Sequence, residues 1–338
     1  MSLMKSTSRY ERPFNGLIRS METSPEPVAR PLSSSKPLRW DLFFGLSRTP
    51  HGILDVATPA MAALLWLGHF PSLSVIVVGI VTAFAGYTAV YALNDLVDYK
   101  VDRDRLALCK GSINLYDVDG IAVRHPLAQG VLSLRSGVVW TTFWALVALA
   151  GAWWLNPLCV LIFLVSASIE TIYCKLLRIT HLKIIPSVIV KASGGVAGVY
   201  AVDAHPSFGF VVMVFLWLGA WEMGGQNIAN DIMDMDDDAR VEARTTSTVK
   251  GVPESVFRAV AATSMASFAG VAVYFLAGNG VGILYPVGAA VLGWWLLLQP
   301  ARDLYYAPGP PAAALFNRAS YMPVSFLVLT AFSMMTVF

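Results

Sequence analysis

About nine apolar runs, each close to the twenty or so residues needed to cross a hydrocarbon core, divide the chain at 50–70, 72–94, 136–155, 157–174, 184–201, 208–230, 256–277, 281–299 and 320–338. Runs of this length read as membrane helices, so the expected fold class is all-α, a polytopic bundle of about nine spans. Gly, Pro and polar residues punctuate the gaps, as in Asn156-Pro157, His205-Pro206, Gly278-Asn279-Gly280 and the Pro-rich stretch 307–311. Composition agrees, because 14% charged and 56% hydrophobic residues fall far from the roughly 25% charge of a soluble domain.

The basic residues set an orientation. Of the 24 Lys plus Arg, all but Lys191 lie in the N-terminal segment or in the loops, and at the edges of the loops, after the second, fourth, sixth and eighth runs. Cytoplasmic loops carry that excess, so the N-terminus and the even-numbered exits are expected on the cytoplasmic side. Residues 1–48 are rich in Ser, Pro and Arg and read as a disordered cytoplasmic arm, with no signal-peptide core; residues 49–338 form the transmembrane domain. The expected location is a bacterial inner membrane, with an organellar membrane as the alternative. Cys109, Cys159 and Cys174 show no C-x-x-C spacing and suggest neither a disulfide framework nor zinc.

Two stretches repeat one pattern, N-D-x-x-D-x-x-x-D. Asn94 to Asp102 closes the second run and Asn230 to Asp238 closes the sixth, four spans later. In helical backbone, offsets of three and four place Asp95, Asp98 and Asp102 on one face and Asp231, Asp234 and Asp238 on another. Six unneutralised carboxylates would repel one another, so a cation is expected between them. Asp55, Glu170, Lys191 and Glu222 are the ionisable residues inside the spans. All four fall in the cytoplasmic half, which suggests one polar chamber opening to that side. Glu222, Gln226, Asn230 and Asp234 recur every four residues, alongside Asn227 and Asp231, while Tyr87, Tyr91, Asn94 and Asp98 make a similar stripe on the second span.

Clustered carboxylates at a membrane surface suit Mg²⁺, which takes oxygen ligands and is commonly shared with substrate phosphates. Two facing clusters would hold two or more Mg²⁺ with a diphosphate between them. A calcium loop starting at Asp234 fails, because Ala239 and Thr245 occupy the positions that require Gly and Glu. Arg48, Arg103, Arg105, Lys175, Arg178, Arg240 and Arg244 are the fixed cations near these motifs. Lys191, required by no topological rule, is expected to bind an anion or to pair with Glu170.

These residues resemble the UbiA-type intramembrane prenyltransferases over about residues 40–338. The form N-D-x-x-D-x-x-x-D-R at Asn94 to Arg103 and the later D-x-x-x-D at Asp234 and Asp238 are similar to that family's two motifs. Arg124-His125-Pro126-Leu127-Ala128-Gln129-Gly130 is similar to its R-P-L-x-x-G stretch, and Tyr173 with Lys175 and Arg178 to its Y-x-x-x-K-R stretch. The resemblance implies Mg²⁺-dependent transfer of an isoprenyl group from an allylic diphosphate to a lipophilic, aromatic acceptor. Asp95, Asp98, Asp102, Asp231, Asp234 and Asp238 would hold the metals. Asn94, Asn227, Asn230, Arg48, Arg103, Lys175, Arg178 and Lys191 would bind substrate, with Glu222 or Glu170 accepting the acceptor's proton. The rings of Tyr87 and Tyr91 would face the allylic cation. The insert Leu106 to Val123 is longer than the family's and is expected over the chamber mouth, as a lid, a determinant of acceptor choice or an ordered loop.

A terpene cyclase of the same type would use the same ionisation site without an acceptor. A transporter fits less well, because the polar cluster is one-sided. The expected partners are the prenyl diphosphate, the acceptor and the bilayer; neither nucleic acid nor an obligatory protein partner is called for.

Overall fold

The computed structural model describes residues 39–108 and 122–336, and among these no strand occurs. Residues 1–38 of the expected arm and 109–121 of the expected insert lie outside the described residues. Ahead of the membrane helices, α1 (Trp40–Leu46) buries Leu42 and Leu46. The run 50–70 becomes two short helices, α2 (Thr49–Asp55) and α3 (Ala57–Leu67), joined at Val56. Among the described residues, eight further segments are long and apolar enough to cross a membrane.

Their boundaries follow from local chemistry. The 36-residue α4 (Leu73–Leu108) carries the first acidic motif past the apolar run without interruption. The side chain of Ser133 caps α5 (Leu134–Leu155). Asn156 then accepts from the Leu158 amide, and Pro157 supplies a pre-set φ, so one dipeptide ends α5 and starts α6 (Pro157–Leu176). A 3₁₀ turn at His181–Lys183 leads into α7 (Ile184–Val202).

The sixth span is interrupted. α8 (Phe208–Trp221) passes into a π turn at Glu222–Asn227, then α9 (Ile228–Met233) and, after Asp234, α10 (Met235–Arg240). A short α11 (Thr246–Lys250) precedes α12 (Val252–Ala272). α13 (Leu284–Gly293) also carries a π turn before α14 (Gln299–Tyr306), and α15 (Pro311–Ser320) and α16 (Met322–Met335) make up the last span.

Small residues permit the closest crossings. A Cβ on Gly198 of α7 would meet the Pro59 carbonyl oxygen of α3 at 2.2 Å, so only glycine lets these backbones touch. Met61, Leu65, Phe210, Trp217, Trp221, Tyr285 and Phe326 form the main apolar core between α3, α7, α8, α12, α13 and α16. Large apolar side chains such as Phe143, Leu161, Phe268 and Val291 point outward instead. That exposure would be costly in water and is what a lipid-facing surface requires.

Candidate active site

A cavity of about 260 Å³ opens among the ends of α4, α6, α7 and the broken sixth span, and all six motif aspartates line it. On α4 the spacing of three and four works as expected. Asn94 donates from Nδ2 to Glu170 Oε1 at 2.7 Å and accepts from Arg48 Nη2 at 3.4 Å. Arg48 stands 3.7 Å from Asp95 Oδ1. His125 Nδ1 lies 3.0 Å from Asp102 Oδ2 and 3.3 Å from Asp95 Oδ1. Burial alone would lower the imidazole's pKa, but Asp102 and Asp95 beside it raise it to about 9.

The second motif reaches the cavity by a different route. Each step of four residues along an α-helix drifts by about 40°, and the wider π turn takes up that drift between Glu222 and Asn227. Glu222, Gln226, Asn227, Asn230 and Asp231 therefore all line the cavity. Asp234 breaks the helix, with φ −96° and ψ 8°. Asp231 Oδ2 accepts from the Thr246 amide at 2.9 Å, and its Oδ1 is 3.6 Å from Lys183 Nζ. Asn230 donates to Asp234 at 3.1 Å. Arg105, at the end of α4, hydrogen-bonds Asp238 and stands 3.9 Å from Asp234, so it links the two motifs. Burial pushes the Asp238 carboxyl up, against Arg105 and with the help of Asp231 and Asp234, to about 6.

Deeper in the bundle, Asp55 accepts hydrogen bonds from Tyr91 and Lys191. Lys191 also donates to Tyr91 Oη at 2.8 Å and lies 5.3–5.9 Å from the ring centroids of Tyr91, Trp221 and Tyr87. Asn227 Nδ2 donates to Ser187 Oγ at 3.0 Å, and Ser187 donates in turn to Glu222 Oε1 at 2.6 Å. That chain leaves Glu222 Oε2 and Asn227 Oδ1 buried with no hydrogen bond from the described residues.

Several expectations need correction. Lys191 pairs with Asp55 rather than with Glu170, whose partner is Asn94. Glu170, Lys191 and Glu222 line the cavity, with Asp55 behind them. Arg103 does not line it: one residue past Asp102 turns it about 100° around the helix, where it is exposed over the Tyr99 ring. Lys175 is exposed, and Arg178 ties the end of α6 to Asp104 and the Val241 carbonyl. Arg240 reaches outward to Asp237. The remaining expected residues, Arg48, Tyr87, Tyr91, Asn94, Asn227 and Asn230, all line the cavity.

Sequence reasoning missed Lys183, His51 and the role of His125. Lys183, 4% exposed, donates to Tyr173 Oη at 3.3 Å; in the sequence it is one more basic residue at a span edge. His51 lines the cavity 3.9 Å from Asp55, four residues on, a spacing that could have flagged it. Of the insert, residues 106–108 continue α4, and Ala122 and Val123 line the cavity.

The donor set fits a hard divalent cation. Asp95 is 2% exposed, yet neither of its carboxylate oxygens receives a hydrogen bond from the described residues. A buried carboxylate in that condition calls for a ligand, and its neighbours here supply carboxylate oxygens.

The profile of the UbiA prenyltransferase family matches residues 56–321. No curated protein matches the sequence. Among solved structures, the apo UbiA homolog from Aeropyrum pernix K1 is similar at TM-score 0.65 and 20% identity, covering 82% of this chain and 97% of that one. A digeranylgeranylglyceryl phosphate synthase is similar at TM-score 0.62 and 17% identity, covering 88% and 99%. The Archaeoglobus fulgidus UbiA homolog bound to DMAPP and Mg²⁺ is similar at TM-score 0.59 and 14% identity, also covering 88% and 99%.

Proposed function

Because the chain belongs to the UbiA prenyltransferase family and is an integral, multi-pass membrane protein, we propose that it transfers an isoprenyl group from an allylic prenyl diphosphate to a lipophilic, aromatic acceptor, releasing diphosphate. The observation that carries this reading is the meeting of both acidic motifs on one cavity, with Asp95 buried and bare of hydrogen bonds. The A. fulgidus homolog's complex with DMAPP and Mg²⁺ supports it.

Asp95, Asp98 and Asp102 on one wall and Asp231, Asp234 and Asp238 on the other would hold two or more Mg²⁺, whose charge stabilises a departing diphosphate. Arg48, Arg105 and Lys183 orient its oxygens from the cavity edge. A second cavity of about 370 Å³, lined mostly by apolar residues of α3 to α7, shares Tyr87, Val90 and Val190 with the first. The prenyl tail lies there, so the allylic carbon falls beside the rings of Tyr87 and Tyr91 and away from water.

Lys191 no longer argues for an anionic acceptor, since Asp55 already matches its charge. The acceptor that fits brings hydrogen-bond donors, as a phenol or quinol does, to Glu222 Oε2 and Asn227 Oδ1. Glu222 then takes the proton lost on transfer.

The test is incubation of purified protein in nanodiscs with Mg²⁺ and geranyl, farnesyl or geranylgeranyl diphosphate, with and without pooled phenolic acceptors. Acceptor-dependent diphosphate release with a matching prenylated mass is the expected result. Release without acceptor, with a cyclised product, would make the protein a terpene cyclase. No release with any donor would overturn both.

A further inference from the structure

We propose that His125 is a metal ligand, completing with Asp95 and Asp102 a nitrogen-containing site that holds Mn²⁺ in preference to Mg²⁺. The inference rests on the metal-dependent reading above and adds to it a ligand that carboxylate motifs alone do not contain.

One donor atom from each of the three residues lies within 4.8 Å of the other two. Two of the separations are 3.0 Å, from His125 Nδ1 to Asp102 Oδ2, and 3.3 Å, from His125 Nδ1 to Asp95 Oδ1. Neighbouring ligands around an octahedral ion with bonds of about 2.1 Å stand about 3.0 Å apart. Two of the three separations therefore match neighbouring ligands of one coordination shell, and the third is within 4.8 Å.

Ion pairs hold the same atoms without completing their hydrogen bonds. Both oxygens of Asp95 and the Nδ1 of His125 are buried and make no hydrogen bond with the described residues. A histidine serving only as a latch would direct an N–H at one carboxylate; here Nδ1 stands at ion-pair distance from two carboxylates and is aligned for a hydrogen bond with neither. The backbone at His125 is held at φ 49°, a left-handed conformation that costs a non-glycine residue. It lies directly before Pro126, and strain of this kind persists where the surrounding structure needs the side chain in place.

Chemistry supplies the metal preference. Mg²⁺ takes oxygen ligands almost exclusively, whereas imidazole binds the first-row transition metals, among which Mn²⁺ keeps a taste for carboxylates and for octahedral geometry. Two carboxylates and one imidazole suit Mn²⁺ better than Mg²⁺.

The experiment loads metal-free protein in nanodiscs with Mn²⁺, with and without inorganic pyrophosphate, and records electron spin echo modulation on protein carrying ¹⁴N or ¹⁵N histidine. The expected result is a nitrogen coupling to bound Mn²⁺ that changes with the isotope and vanishes in His125→Asn. Asparagine is chosen because it tolerates left-handed backbone. In that variant the Mg²⁺ concentration that displaces half the Mn²⁺ should fall by about tenfold. Bound Mn²⁺ without nitrogen coupling, or a coupling that survives His125→Asn, would overturn the inference while leaving prenyl transfer standing. Failure to bind Mn²⁺ under either condition, together with absence of transfer in the assay above, would overturn both. The isotope comparison on the unsubstituted chain decides the matter even where the variant does not fold.

Discussion

In the first acidic motif the aspartates ride one uninterrupted helix, α4, whereas in the second they are spread over α9, the kink at Asp234 and α10. Their partners differ as much as their backbones. Asp231 is held by the Thr246 amide and Lys183, Asp234 by Asn230, and Asp238 by Arg105. Among the described residues none donates a hydrogen bond to Asp95, and the cations beside it are Arg48 and His125. One sequence pattern thus serves two purposes. The second motif is bound into the fold by permanent charges and a backbone donor, and the first keeps carboxylate oxygens available for a ligand.

The sharpest way to break this distinction is to remove one aspartate from each motif. Asp98→Ala should lower turnover by about 10³-fold or more, the scale expected when a group that stabilises transition-state charge is lost, and leave thermal unfolding in detergent close to that of the parent. Asp231→Ala should lose activity and stability together, because it strands Lys183 and the Thr246 amide. Equal destabilisation by the two substitutions would show that the motifs are structurally equivalent after all.

Lys183 tests the second motif from the other side. Its ammonium and Asp231 are 5% and 4% exposed; removing one partner of a buried pair costs about 3–5 kcal/mol because the other charge stays behind. Lys183→Met should therefore lower the melting temperature markedly, and adding Asp231→Asn, which removes the stranded charge, should restore part of the loss. Additive losses in the double variant would mean that the pair carries no coupling.

Much of this was legible in the sequence, and the exceptions have physical causes. Apolar run length marks where helices cross, so the eight spans found among the described residues overlap the expected runs, most within a few residues; α4 runs on to Leu108, the span from Leu284 runs on to Tyr306, and the last starts nine residues early at Pro311. Three-and-four spacing on continuous helix put the first motif's aspartates on the cavity, and the second motif's reach it across a break at Asp234. The sequence carries no comparable mark for a π turn, since Glu222-Met223-Gly224-Gly225-Gln226-Asn227 reads as ordinary helix with two glycines. Cations were the weakest part of the reading. Positive-inside anchors and site residues are the same residue types at the same depth, and one helical step separates exposed Arg103 from the cavity face that Asp102 and Arg105 share. Lys191 found Asp55 rather than Glu170 because the partner comes from a helix 136 residues away, a pairing that no local pattern encodes.

Arg105 spans the comparison, since it belongs to the helix of the first motif and bonds the second. Arg105→Gln should raise KM for the prenyl diphosphate about tenfold, roughly one charge-assisted hydrogen bond, with a smaller change in kcat. Arg103→Gln and Lys175→Gln, on exposed positions, should stay within about twofold of the parent. A tenfold effect at either would mean that the outward-facing cations reach the donor and that the assignment by cavity lining is wrong.

The smallest effect is also the one that separates the motifs by pH. Arg105 and Lys183 keep their charge across the accessible range, but His125, the counter-ion of the first motif, titrates. Burial opposes its protonated form, yet Asp102 and Asp95 outweigh burial and hold its folded pKa at about 9, above its ordinary 6.5. A histidine whose pKa rises on folding stabilises the fold fully below its unfolded pKa and loses that contribution as pH rises through the folded one. In metal-free protein the loss falls between pH 6.5 and pH 9. Asp238 in the second motif runs on another window: with a pKa raised from 3.8 to about 6 by burial, its ionised form costs stability above pH 6, and that cost disappears as pH falls toward 3.8. Melting curves of chelator-treated parent and His125→Asn should diverge below pH 9 and converge above it, by a few degrees for a contribution of about 1 kcal/mol. Parent and Asp238→Asn should instead converge below pH 4 and differ at neutral pH. If the His125 difference were constant with pH, the imidazole would not be acting as the first motif's counter-ion, and the contrast between a titrating cation on one wall and permanent cations on the other would fail.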